Sequence, residues 1–214
     1  RLTGKALRHI AGEPLIKRVI NRVSKVKKVS TVVVATSDSK NDDRLVEYIQ
    51  SLNIEVFRGA AHDVLDRAVS CASYLGVDKF IRINGDSPLI DPELLEKGIE
   101  MWREPNLDLI SNVFPRTYPV GTSVEIIKTD SLKKILSLTV DSCDREHVTR
   151  FFYRNPEKFR ILNFESGRSE LREVRLAVDT EEDLERIDWL FKEFGGLINF
   201  EMAAEKSLLW SRVE

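Results

Sequence analysis

The feature that most constrains the fold is the run Val32-Val33-Val34-Ala35, unbroken, apolar and mostly β-branched, followed by the polar stretch Thr36-Ser37-Asp38-Ser39. A strand with one wet face alternates apolar and polar residues. A continuous run suits a strand buried on both faces of a parallel sheet, with helices covering each side. The flanking segments alternate in the way this requires. Leu15, Ile16, Val19, Ile20 and Val23 fall on one face of a helix predicted from Pro14 to about Val26. Further helices are predicted over Asp42–Leu52 and Asp63–Leu75, and strands over Ile54–Phe57 and Lys79–Ile83. The pattern is that of an α/β fold.

The second half continues it. Asp91-Pro92 reads as an N-cap followed by proline at the first helical position, opening a helix to about Arg103. Strands are predicted over Asp108–Asn112, Val124–Lys128, Phe159–Phe164 and Val174–Val178, and helices over Asp130–Leu138 and Glu146–Arg154. Thr180 with Asp183 resembles a capping box ahead of a helix carrying Leu184, Ile187, Leu190 and Phe191. One more helix is expected from about Asn199.

Composition excludes several classes. The 33 Lys and Arg against 35 Asp and Glu leave a net charge of −2, without the basic excess of a nucleic-acid binder. No apolar run approaches the roughly 18 residues of a membrane span. Cys71 and Cys143 lack metal-ligand spacing and read as reduced thiols, which with the absence of a signal peptide points to a cytoplasmic protein. The 214 residues suit a single domain.

Open α/β sheets bind ligands beyond the carboxyl ends of their strands, so the residues there are the candidates. Thr36 and Ser37 offer small hydroxyls and exposed backbone, as a polar turn would. Arg58-Gly59 pairs a planar cation with close backbone approach, and Asp63, Asp66 and Arg67 follow. In Asn84-Gly85-Asp86-Ser87-Pro88, Asp86 stands where a hard cation could be held, or where a turn needs an Asp. Asp179 is a second strand-end carboxylate, or a favourable charge at a helix start. Gly4-Lys5, after Arg1, could meet a phosphate, although the longer Walker spacing is absent. His9, His62 and His147 are too dispersed for a zinc site.

Eight stretches in this order resemble the SpsF-like (spore coat polysaccharide biosynthesis) cytidylyltransferases, related to the CMP-KDO and CMP-sialic acid synthetases. They are Arg-Leu-Thr-Gly-Lys at 1–5, Val-Ala-Thr-Ser at 34–37, Val-Phe-Arg-Gly at 56–59 and Asp-Val-Leu-Asp-Arg at 63–67. Arg-Ile-Asn-Gly-Asp-Ser-Pro-Leu-Ile-Asp-Pro at 82–92, Arg-Thr-Tyr-Pro at 116–119, Asp-Arg-Glu-His-Val-Thr at 144–149 and Val-Asp-Thr-Glu-Glu-Asp at 178–183 complete the set. The resemblance implies a Rossmann-like nucleotidyltransferase fold of the nucleotide-diphospho-sugar transferase type, with a mixed, mostly parallel sheet flanked by helices. It implies CTP plus an acidic or polyol sugar giving a CMP-sugar and pyrophosphate with Mg²⁺, and it admits a homodimer. By residue, it places Arg1, Gly4 and Lys5 at the triphosphate, and Ala35, Thr36, Ser37, Arg58, Gly59 and Asp66 around the nucleotide. It places Asp86 and Asp179 on the metal, with Lys5 beside them in the chemistry. Arg116, Tyr118, Glu125, Arg145, Glu146 and His147 face the sugar.

The chain also departs from the family. Thr3 stands where proline is usual, and Val120-Gly121-Thr122-Ser123-Val124-Glu125 replaces Asp-Gly-Leu-Asp-Val-Glu. The family's first strand and an Arg-x-x-Ser stretch precede the position of Arg1. The domain at 1–214 is therefore expected to lack its first strand and the start of its phosphate loop. A glycosyltransferase or nucleotide-sugar binder of this architecture, which often carries Asp-x-Asp where this chain has Asn84-Gly85-Asp86, and a non-catalytic remnant of the fold are the alternative readings.

Overall fold

Alternating apolar side chains split the central sheet into two faces, and each face carries its own helices. The computed structural model describes residues 4–210. After a 3-10 turn at Lys5–Leu7 come β1 (His9–Ile10), β2 (Glu13–Pro14), α1 (Leu15–Val23), β3 (Val33–Ser37), α2 (Asp43–Ser51), β4 (Glu55–Gly59) and α3 (Val64–Tyr74). Then follow β5 (Lys79–Arg82), α4 (Pro92–Met101), β6 (Leu109–Ser111), β7 (Glu125–Lys128) and α5 (Thr129–Leu138). The chain continues through α6 (Ser142–Glu146), α7 (Arg150–Arg154), β8 (Ile161–Asn163), α8 (Glu181–Phe194) and α9 (Phe200–Ser207).

β5, β7, β6 and β8 form a mixed sheet in that order. β7 runs antiparallel to both β5 and β6, and β8 is parallel to β6, so three strands share one direction and β7 opposes them. On one face Ile81, Ile110, Ile126 and Leu162 join the core built by α1, α4, α8 and α9. On the other, Phe80, Leu109, Ile127 and Ile161 pack against α3, α5 and Phe152 of α7. The period-2 alternation of the pleat makes both faces apolar at once. β3 pairs in parallel with β4, and Val34 and Val56 pack with Ile16, Ile20 and Ile49 from α1 and α2. No helix among the described residues is long and apolar enough to cross a membrane.

The expected burial of Val32–Ala35 on both faces needs correction. Val32, Val33 and Val34 are half-buried and Ala35 is exposed. The reason is an open edge. Among the described residues β3 has only β4 as a partner and β5 only β7. A cavity of about 530 Å³ lies between them, lined by Val32–Ala35, by Lys79–Gly85, and by apolar side chains of α1, α3 and α4.

Two further expectations are corrected. The predicted helix at Glu146–Arg154 is broken, because His147 leaves helical geometry (φ −105°, ψ 85°) and Thr149 starts α7 afresh. Buried Val148 plugs the α3–α5–α7 core at the break. Residues 174–178 form no strand. A single parallel bridge joins Val120 to Arg175, with Val120 N donating to Val174 O at 2.9 Å and Leu176 N to Val120 O at 2.6 Å. Pro119 and Gly121 flank Val120, and the ladder ends there. The Asp91-Pro92 start and the Thr180–Asp183 capping box form as the sequence predicts.

Candidate active site

Three segments distant in sequence meet at one ammonium group. Gly4, at φ 64°, turns the chain into the 3-10 turn that carries Lys5. Only glycine adopts that conformation freely. Lys5 Nζ donates to Asp86 Oδ2 at 2.8 Å, to Asp179 Oδ1 at 2.9 Å and to Val178 O at 3.0 Å. Asp86 lies beyond β5, where its carbonyl accepts from Val178 N at 2.9 Å, so the two carboxylate segments are stitched together. Asp179 precedes α8 yet does not cap it. Thr180 and Asp183 share that task, and Asp183 Oδ2 accepts from Asp179 N at 3.0 Å. The Asp179 carboxylate is left to Lys5 and to Arg175.

The electrostatics follow the geometry. Partial burial would lower the Lys5 pKa, but the hydrogen bonds and charges of Asp86 and Asp179 outweigh it and hold the pKa above its ordinary value. The hydrogen bond from Lys5, aided by its charge and that of Arg175, holds Asp179 below the usual carboxylate range. Two carboxylates and a carbonyl converging on one cation form an oxygen donor set of the kind hard divalent ions take, and Mg²⁺ needs only one or two carboxylates when phosphates complete its shell. No cluster of three or more His, Cys, Asp or Glu among the described residues offers a metal site made of protein ligands alone.

The residues expected around the nucleotide lie at the ends of β3 and β4 and in the first turn of α3, a helix that borders the β3–β5 cavity. Ala35 lines that cavity and is exposed. The Thr36 and Ser37 hydroxyls are not free for a ligand, because both donate to Asp42 Oδ2, at 2.6 and 2.5 Å, and Ser37 N does so at 3.0 Å. Arg58 is engaged with Asp43 and with the Ser37 and Ser39 carbonyls. Gly59 packs where a Cβ would press on the Phe57 ring at 3.0 Å and Arg67 Cγ at 3.1 Å. Asp66 lies half-buried in the first turn of α3, which Asp63 caps. Arg1 lies outside the described residues.

On the sugar side the expected set divides. Arg116 is half-buried, and its guanidinium donates to Ser123 Oγ at 3.1 Å and Pro119 O at 3.4 Å. Glu125 is buried and accepts from Arg82 at 2.8 Å, Thr149 at 2.6 Å and Tyr153 at 2.8 Å. Glu146 and His147 are exposed at the α6–α7 break. Two of the expected residues are engaged within the fold. Tyr118 is only 2% exposed and packs against Phe164 and Phe200, its hydroxyl turned to Glu165 O at 3.2 Å, so it supports the core. Arg145 is committed to Asp63 at 2.8 Å and to the Leu136 and Thr139 carbonyls, so it braces α3.

Sequence reasoning missed Arg82, Ser111, Thr149 and Tyr153, which surround Glu125, and Asp42, which organises the end of β3. Arg82 carried one signal, a charge at the end of a strand whose middle is apolar. Its register opposite Glu125 is a tertiary fact.

The sequence matches the family model described as cytidylyltransferase over residues 1–211. It is 34% identical over 203 residues to an uncharacterized protein of Methanocaldococcus jannaschii, covering 94% of this chain and 82% of that one. It is 31% identical over 201 residues to the spore coat polysaccharide biosynthesis protein SpsF of Bacillus subtilis, covering 91% and 82%. A 3-deoxy-manno-octulosonate cytidylyltransferase of Geobacter metallireducens is 30% identical over 177 residues, covering 81% of this chain and 62% of the relative. Among solved structures, a cytidylyltransferase from Leptospira borgpetersenii superposes with a TM-score of 0.90 at 27% identity, over 96% of this chain and 87% of that one. The CTP complex of a CMP:2-keto-3-deoxy-manno-octonic acid synthetase shares the fold, with a TM-score of 0.70 at 20% identity over 90% and 93%.

Proposed function

The chain belongs to the cytidylyltransferase family, and from that premise we propose that it transfers the cytidylyl group of CTP to an acidic or polyol sugar, with Mg²⁺, in polysaccharide or glycan synthesis. The observation that carries this reading is the convergence of Lys5, Asp86 and Asp179 on one point. In the reaction a sugar oxygen attacks the α-phosphorus of CTP, a new P–O bond forms, and the bond to pyrophosphate breaks. Such transfers depend mostly on positioning and charge neutralisation.

Asp86 and Asp179 would hold the metal. When bound, Mg²⁺ would neutralise phosphate charge and lower the pKa of an attacking hydroxyl. Lys5 holds the two carboxylates together. Its flexible four-carbon stem lets the ammonium move onto the phosphates and neutralise the leaving pyrophosphate. With Thr36 and Ser37 tied to Asp42, readout of the cytosine falls to backbone groups at the end of β3. The half-buried Arg116 guanidinium suits an anionic group on the sugar.

The test is pyrophosphate release with each of the four nucleoside triphosphates, Mg²⁺ and a panel of acidic and polyol sugars, 3-deoxy-manno-octulosonate included. Release is expected only with CTP and with few sugars. Asp86→Asn and Asp179→Asn are each expected to reduce turnover by about 100-fold or more with the fold retained by circular dichroism. Near-normal Mg²⁺-dependent turnover in both variants would remove the metal assignment. A sugar nucleotide accepted as donor, with no pyrophosphate formed, would turn the reading to a glycosyltransferase.

A further inference from the structure

A carboxylate buried inside a sheet is costly unless paired and hydrogen-bonded, and Glu125 in β7 is fully provided for. One oxygen accepts from Arg82 at 2.8 Å, across the β5–β7 pair. The other accepts from Thr149 at 2.6 Å and from the Tyr153 hydroxyl at 2.8 Å. The Tyr153 hydroxyl also lies 2.8 Å from Ser111 Oγ, which in turn accepts from Val113 N at 3.1 Å. A line of hydrogen bonds thus runs from Glu125 through Tyr153 and Ser111 to the start of the 113–116 loop.

The ring of Tyr153 holds the same loop a second time. Phe114 stacks on it with centroids 5.0 Å apart and planes 22° from parallel. Asn163 completes the clamp, accepting from Phe114 N at 3.0 Å and donating to Pro115 O at 3.2 Å. The loop closes where Val113 bridges Arg116. Arg116 forms no ion pair among the described residues. Its guanidinium is held only by Ser123 and Pro119, with the Glu125 charge nearby.

We propose that Tyr153 is a positioning residue for the second substrate: by hydroxyl and by ring it fixes the 113–116 loop, and through it the Arg116 guanidinium that receives the sugar's anionic group. The inference rests on the transferase reading above. The loop's hydrogen bonds go to Ser111, Asn163, Pro119 and Ser123 and not to Lys5, Asp86 or Asp179, so on this proposal its loosening affects sugar affinity and leaves nucleotide affinity alone.

The test compares wild type with Tyr153→Phe, which keeps the ring and loses the hydroxyl, and Phe114→Ala, which leaves the Glu125 hub intact and removes an exposed ring. Steady-state kinetics use CTP and 3-deoxy-manno-octulosonate, or the panel sugar that turns over. Hydrogen exchange follows the amides of Val113 and Phe114. In both variants the sugar KM is expected to rise about tenfold, with the CTP KM within about twofold and with both amides exchanging faster. Unchanged sugar KM, or sugar and CTP KM rising together, would overturn the proposal, as would unchanged exchange at the loop in both variants. If Tyr153→Phe does not fold, Phe114→Ala alone decides. If wild type transfers nothing from CTP to any sugar, the transferase reading falls by itself, and exchange at the loop still judges whether Tyr153 holds it.

Discussion

Asp42 decides what the end of β3 can offer a ligand. One of its carboxylate oxygens takes the Thr36 hydroxyl, the Ser37 hydroxyl and the Ser37 amide. Hydroxyls that look free in the sequence are therefore internal donors. Partial burial would raise the Asp42 pKa, but the bonds from Ser37 and Thr36 outweigh it and hold the pKa below the ordinary carboxylate value. The sign follows from linkage. A folded pKa below the unfolded value of about 3.9 contributes stability that is present above that pH and lost as pH falls through the folded value. Asp42→Asn is expected to cost about 1.5–3 kcal/mol at pH 7, the range for hydrogen bonds to a charged group. The gap in urea midpoint between wild type and variant should stay level from pH 6 to 8 and shrink below about pH 4. A gap that persists undiminished at pH 2–3 would mean that the charge plays no part.

At the scale of elements, the short bridge between Val120 and Arg175 does what a full strand was expected to do. It ties the 116–125 segment, which carries Arg116 and Glu125, to the segment that ends in Asp179. Gly121 makes the approach possible. Its φ is 101°, and a Cβ there would meet Ala177 N at 2.5 Å and Leu176 C at 2.6 Å. Both are backbone atoms that cannot turn aside. Gly121→Ala is expected to lower stability by about 2 kcal/mol or more, read as a fall in urea midpoint, with a loss of turnover larger than that of Asp42→Asn. Wild-type stability and turnover in this variant would show that the two segments need not touch. Helix starts were legible in the sequence because a cap is a local event: Asp91-Pro92 and Thr180 with Asp183 carry their signals within four residues. Asp86 and Asp179 stood out in the sequence as acidic residues next to a turn and a helix start, and the structure brings both onto Lys5. The Glu125 hub was not. It depends on Arg82 facing Glu125 across 43 positions and on Thr149 restarting a helix, and neither follows from periodicity. Tyr118 and Arg145 were placed by order in the chain, yet burial turned one into the core and an ion pair bound the other to α3.

For the whole molecule, the decisive feature is the seam between the β3–β4 pair and the β5–β7–β6–β8 sheet. β3 and β5 each present one edge without a strand partner among the described residues, and unpaired edges inside a protein leave backbone donors and acceptors unsatisfied. The cavity of about 530 Å³ between them is floored by α3, roofed by α1 and α4, and walled by the two strands. Helices over both faces and strand edges on both sides are the surroundings of a central strand, and a central strand reads as a continuous apolar run. Joining an apolar, β-branched segment ahead of Arg1 is therefore expected to raise the melting temperature by about 5 °C or more, as a gain of a few kcal/mol would do in a domain of this size. It should also slow hydrogen exchange at the amides of β3 and β5. A Gly-Ser segment of equal length supplies no side chains for α1, α3 and α4 to pack on, and should do neither. Equal melting temperatures for the two extensions would mean that the seam is closed by some other arrangement. A gain confined to the apolar one would join β3 to β5 in a single sheet, with the Thr36–Ser37 end and Asp86 at the same edge of it.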